Sequence, residues 1–134
     1  MEIDEVLALS DDLARAWSYP LYIGMKPGNL GHAFASDEDK TAKTKEMREK
    51  FLAEEMPKFM GFYTKALEKS GGPFFCGQKV TIADLQILPQ LRYYSRGVAD
   101  FVPANTLEPF PVVTAWIARM LEVPQIKAWY ASKQ

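Results

Sequence analysis

Apolar side chains recur at helical spacing along most of this chain. The cleanest run is Val113, Trp116, Ile117, Met120 and Leu121, at i, i+3, i+4, i+7 and i+8. Pro111 suits the first turn of that helix; Pro124 ends it and opens a short last helix carrying Ile126, Trp129 and Tyr130. At the other end, Ile3, Val6, Leu7, Leu13, Ala14 and Trp17 form a stripe over residues 2 to about 17. Glu2, Asp4 and Glu5 crowd its first turn, where negative charge favours the helix dipole. Asp11, Asp12 and Arg15 lie on or beside the polar face, and the spacing of Asp11 and Arg15 permits a weak ion pair.

Thr41 to Ser70 is rich in Lys, Glu, Ala and Met and predicts a long helix. Met47, Phe51, Phe59, Phe62 or Tyr63, and Leu67 trace its inner side. Pro57 removes a donor in mid-helix and predicts a bend, and Gly71, Gly72 and Pro73 stop it. Pro20, Gly24, Pro27, Gly28 and Gly31 mark Ser18 to Lys40 as a connection, closed by the charged SDEDK. Its early part is compatible with continued helix, and a connection this long is usually functional or mobile. A further helix runs from Ile82 to about Ser95, with Pro89 predicting a kink in what should be the most buried helix; Gly97 to Thr106 connects it to the next. No strand pattern, repeat or low-complexity tract interrupts this order. The fold class is all-α, five principal helices packed as a bundle, with residues 1–134 forming one domain.

The start at Ile82 carries the sharpest local signal. Thr81 and Asp84 stand three apart, so the Thr81 hydroxyl can accept from the Asp84 N–H while the Asp84 carboxylate accepts from the Thr81 N–H. Val80 and Leu85 occupy the positions of a hydrophobic staple. A cap of this kind contributes ~1 kcal/mol. It accounts for both polar residues, so neither is assigned chemistry.

Composition narrows the function classes. With 16 basic and 17 acidic residues the net charge is −1, which offers no basic surface for nucleic acid. The longest apolar runs are a few residues, too short to span a membrane. The acidic start lacks the order of a signal peptide. One cysteine, Cys76, allows no internal disulfide and fits a reducing, cytoplasmic compartment. Only Lys79 is near it in sequence to lower its pKa, so a turn cysteine is preferred to a nucleophile. With His32 as the sole histidine, no metal site is indicated.

The run Phe75, Gly77, Val80, Thr81, Ala83, Asp84 and Leu85 resembles the capped helix in the all-helical C-terminal domain of glutathione S-transferases. EEMPKFMGFYTKAL is similar to the long second helix of that domain, and FPVVTAWIARMLEVPQIKAWY to its last two helices. LALSDDLARAWSYP resembles the cleft-lining first helix of sigma-like members. The longer glycine-rich connection at Gly24 to Asp39 and Pro89 depart from the pattern.

The resemblance implies an enzyme that adds the thiolate of glutathione, a co-substrate, to small electrophiles. This part would supply the wall of the hydrophobic electrophile pocket and part of the interface of a homodimer. Asp12, with Asp11 second, would approach the γ-glutamyl amino group of glutathione held by the partner subunit, a charge-assisted contact. Ala14, Ser18 and Tyr19 would face the pocket, while Trp17 belongs to the core stripe. Thiol activation would fall to an N-terminal thioredoxin-like domain whose β-α-β pattern is absent from these residues, so the chain alone is expected to turn over little or no substrate. The alternative is a non-catalytic interaction module of the kind appended to translation factors and aminoacyl-tRNA synthetases.

Overall fold

The structure, a computed structural model, describes residues 3–26, 28, 31 and 33–132. Glu2, Pro27 and His32 of the reading above lie outside the described residues. The chain forms α1 (Ile3–Met25), α2 (Asp37–Lys50), a π turn (Phe51–Glu55), α3 (Met56–Lys69), α4 (Ile82–Tyr94), α5 (Pro111–Glu122) and α6 (Pro124–Ser132). Because α2, the π turn and α3 follow without a break, the described residues form five helical rods. Among the described residues there is no strand, only an isolated bridge between Phe74 and Gly77.

Helix α1 passes the expected stop near Ser18 and carries Pro20 in its interior. Burial of Pro20 and Ile23 extends the inner stripe, and Arg48 of α2 donates to the carbonyls of Pro20 (Nε, 2.9 Å) and Leu21 (Nη2, 3.1 Å). The inner stripe is Val6, Ser10, Leu13, Trp17, Pro20 and Ile23; Ala14 and Ile3 lie outside it, on exposed positions. The SDEDK segment starts a helix instead of closing a loop. Ser36 is the N-cap, accepting from the Asp39 N–H at 3.1 Å, and Asp37, Glu38 and Asp39 meet the positive end of the dipole.

The bend expected at Pro57 is handled by the π turn immediately before it. The Met56 N–H reaches Phe51 O, and Pro57 falls in the first turn of α3, where a missing donor is tolerated. Of the pair Phe62 and Tyr63, Tyr63 is the buried one. Helix α4 is continuous through Pro89, whose ring lies on an exposed position.

Helix α1 packs on α2 and α4, and α5 packs on α3 and α4. Two aromatic groups fill the centre. Trp17 sits against Phe51 (ring centroids 5.1 Å apart) and Tyr94 (5.7 Å), while Phe75 bridges Tyr63 (5.6 Å) and Trp116 (4.8 Å). Val102 and Leu107 from the connection between α4 and α5 are buried as well.

Candidate functional site

The first helix presents Asp11, Ala14, Arg15 and Ser18 along neighbouring i, i+3 and i+4 positions. Asp11, Asp12 and Ala14 are exposed; Ser18 and Tyr19 are half-buried. Arg15 pairs with Asp12, one turn back at i+3, and not with Asp11. Asp11 makes no ion pair among the described residues, so it holds the uncompensated carboxylate of the two. The Ser18 hydroxyl is spent on its own helix, donating to Arg15 O at 2.7 Å.

Beneath this face lies a polar clamp that periodicity does not reveal. Ser10, immediately before the two aspartates, is buried and donates through Oγ to Gln90 Oε1 at 3.0 Å. Gln90 Nε2 donates back to Ser10 O at 2.9 Å, and the Tyr63 hydroxyl donates to Gln90 Oε1 at 3.3 Å. Three helices are thereby registered at one point under the aspartate pair. Burial pushes the Tyr63 hydroxyl far above its ordinary value; the Ser10 hydroxyl works against that, and the Asp11 and Asp12 carboxylates add to it. The sequence signal was a polar residue on an apolar stripe at both Ser10 and Gln90, which reads as a mismatch until the two are seen to pair.

The capped start of α4 is a second polar centre. Asp84 is completely buried, and its carboxylate accepts four hydrogen bonds. Oδ2 takes the Thr81 N–H (3.0 Å) and the Thr81 hydroxyl (3.2 Å); Oδ1 takes the Phe75 N–H (3.1 Å) and Trp116 Nε1–H (3.0 Å). Both halves of the reciprocal cap are present. Among the described residues no cation pairs with it, so these donors and the α4 dipole carry the charge. Val80 is half-buried against the core, whereas Leu85 keeps 51% of its surface exposed.

Leu85 belongs to a shallow groove of about 360 Å³ between α4 and α6, shared with Leu88, Pro89, Ile126, Trp129 and Tyr130. Ile82 and Trp129 are 62% and 55% exposed. Helix α6 has no buried residue of its own. It packs on α5, and Arg92 of α4 lies over the Tyr130 ring at 4.3 Å.

At the far end of α1, Leu21, Gly24 and Met25 face Thr44 and Arg48 of α2 and the turn at 98–101 across a cleft of about 500 Å³. Ala14, Ser18 and Tyr19 do not line it. Cys76 is half-buried in the turn before α4. Among the described residues, no three His, Cys, Asp or Glu side chains gather as a metal site, and no helix is long and apolar enough to cross a membrane.

Comparison with known proteins matches this architecture. The family model described as "Glutathione S-transferase, C-terminal domain" matches residues 30–133, that is, the chain beyond α1. A glutathione S-transferase-like protein, OpS6, of Beauveria bassiana (strain ARSEF 2860) is 31% identical over 121 residues, covering 90% of this chain and 54% of that protein. A glutathione S-transferase of Plasmodium yoelii yoelii is 32% identical over 84 residues, covering 63% of this chain and 38% of that protein. The chain thus spans about half, or less, of the length of these relatives. No solved structure matches. An all-helical bundle with a family match over most of its length places this chain in the glutathione S-transferase C-terminal domain family.

Proposed function

We propose that this chain serves as the C-terminal half of a glutathione-conjugating enzyme, in which the outer face of α1 forms the wall of the electrophile site and part of a homodimer interface. The observation that carries the reading is the family match together with relatives of which this chain matches about half the length or less. Glutathione supplies the thiol that is added to a small electrophile. The residues of this chain bind and orient; activation of the thiol belongs to a thioredoxin-like domain N-terminal to it.

Two carboxylates on an exposed helix face suit the γ-glutamyl ammonium of glutathione held by a partner subunit. Asp11 can accept it directly, while Asp12 must exchange Arg15 for it. The Ser10–Gln90–Tyr63 clamp holds the backbone that carries both. Ala14, Ser18 and Tyr19 follow on the pocket side, with Tyr19 as the aromatic wall. The exposed groove of Leu85, Pro89, Ile126 and Trp129 is where the thioredoxin-like domain docks. No metal takes part, and the compartment is cytoplasmic.

The test is conjugation kinetics on the complete protein. Asp11→Asn and Asp12→Asn should each raise the KM for glutathione by about tenfold, the loss of one charge-assisted contact, with kcat little changed. Unchanged KM in the double variant would sink the aspartate assignment. Absence of conjugation with a panel of electrophiles would sink the enzymatic reading itself.

A further inference from the structure

The cleft at the far end of α1 plays no part in that reading, yet it has the construction of a binding site. Its floor is Arg48, only 4% exposed. The guanidinium donates to three backbone carbonyls: Pro20 (2.9 Å) and Leu21 (3.1 Å) of α1, and Asp100 (3.0 Å) of the connection after α4. Those bonds use three of the five N–H groups of an arginine. Carbonyls satisfy donors without supplying a countercharge; the guanidinium also lies over the Trp17 ring, 5.5 Å from its centroid, which offsets part of the charge. No carboxylate lies within ion-pair distance of Arg48 among the described residues. Burial pulls the guanidinium below its ordinary value, and Tyr93 and the exposed Asp100 oppose this only at longer range.

The rest of the cleft is built around that group. Gly24 lets α1 approach closely, since a Cβ there would stand 2.8 Å from an Arg48 terminal nitrogen and 2.9 Å from Thr44 Cγ2. The rim is apolar and uncovered: Met25, Val98 and Phe101 are 62%, 54% and 36% exposed. Phe101 holds a left-handed backbone (φ 65), a conformation costly for an aromatic residue and stable only where its surroundings impose it. The bond from Arg48 to Asp100 O and the turn from the Val102 N–H to Ala99 O (3.1 Å) impose it here. At the mouth, Asp37 and Lys40 offset one another in charge.

We propose that this cleft binds a small monocarboxylate with an apolar body, the carboxylate meeting Arg48 and the body lying under Met25, Val98 and Phe101. A volume of about 500 Å³ suits such a molecule, and the buried Arg48 fixes its orientation. The site lies within this chain and is separate from the aspartate face, so either assignment can fail without the other.

The experiment is a titration of the isotope-labelled chain with 4-phenylbutyrate and, in parallel, its alcohol 4-phenylbutan-1-ol, followed by amide NMR. Saturable shifts at Gly24, Thr44, Ala99 and Phe101 with the carboxylate, and binding of the alcohol weaker by about tenfold, are expected. Thr41→Trp, at an exposed position on the cleft wall, should abolish these shifts. If that variant does not fold, Val98→Asp at the rim should weaken carboxylate binding by like-charge repulsion. Absence of saturable shifts, equal binding of acid and alcohol, or shifts confined to Leu85, Ile126 and Trp129 would overturn the proposal.

Discussion

Asp84 shows how much one side chain can hold. As a helix cap alone, its removal would cost about 1 kcal/mol. In the folded chain its carboxylate also receives the Phe75 N–H and the Trp116 indole, both buried. Asp84→Ala therefore strands several donors in the core and should destabilise the fold by about 3 to 5 kcal/mol. Trp116→Phe leaves the other three donors in place and should cost about 1 kcal/mol, the net worth of one hydrogen bond with little change in volume. Chemical denaturation of both variants checks this; equal, small losses would mean that the carboxylate acts only as a cap. Trp116 stands 32 residues from Asp84, and no local pattern could have joined the two.

Among the elements, the turn between α3 and α4 brings backbone close to backbone. A Cβ at Gly72 would lie 2.5 Å from the backbone carbon and oxygen of Gly77, atoms that cannot swing away. Gly72→Ala should open this turn, pull Phe75 from Asp84 and cost about 1 to 3 kcal/mol. Gly61→Ala is the contrast: within α3 its Cβ would meet nothing within 4 Å, so the substitution should stabilise the helix by up to about 1 kcal/mol. Thermal melts of the two variants should move in opposite directions. If Gly72→Ala melts with the wild type, the turn is looser than its geometry indicates. The same scale explains two surprises in the helices. Pro20 sits inside α1, where it is buried and its own carbonyl accepts from Arg48, and Pro57 follows a π turn that ends at Glu55.

For the whole molecule, the groove between α4 and α6 is an exposed apolar surface among the described residues. Ile82, Leu85 and Trp129 are each more than half exposed, and α6 has no fully buried residue, only Ile126 and Tyr130 partly packed against the core. The isolated chain should therefore bind an environment-sensitive apolar dye and self-associate as its concentration rises. Leu85→Lys together with Trp129→Lys should reduce both, read by dye fluorescence and sedimentation. A chain that stays monomeric and dark to the dye argues against this face as a docking surface. In source cells, an immunoblot band heavier than 15.2 kDa by about one thioredoxin-like domain supports the conjugating enzyme, and a much larger band supports an appended module.

The helical order was legible because burial of an apolar stripe is a local, periodic demand. Val113, Trp116, Ile117 and Met120 announce α5, and all four are buried. The Thr81–Asp84 cap was legible for the same reason, since its partners are three residues apart. Family membership followed from these short runs in order. The polar residues that organise the interior were not legible. Arg48 lies on a helix of charged composition and reads as solvent-facing until its partners, 28, 27 and 52 residues away, are placed around it. Ser10 and Gln90, 80 residues apart, read as defects in two stripes. The choice of Asp12 over Asp11 by Arg15 depends on side-chain reach that spacing leaves open. Local periodicity sets which residues must be buried, and the sequence alone determines that. Which buried polar groups find one another depends on how the helices dock, and only the tertiary structure decides it.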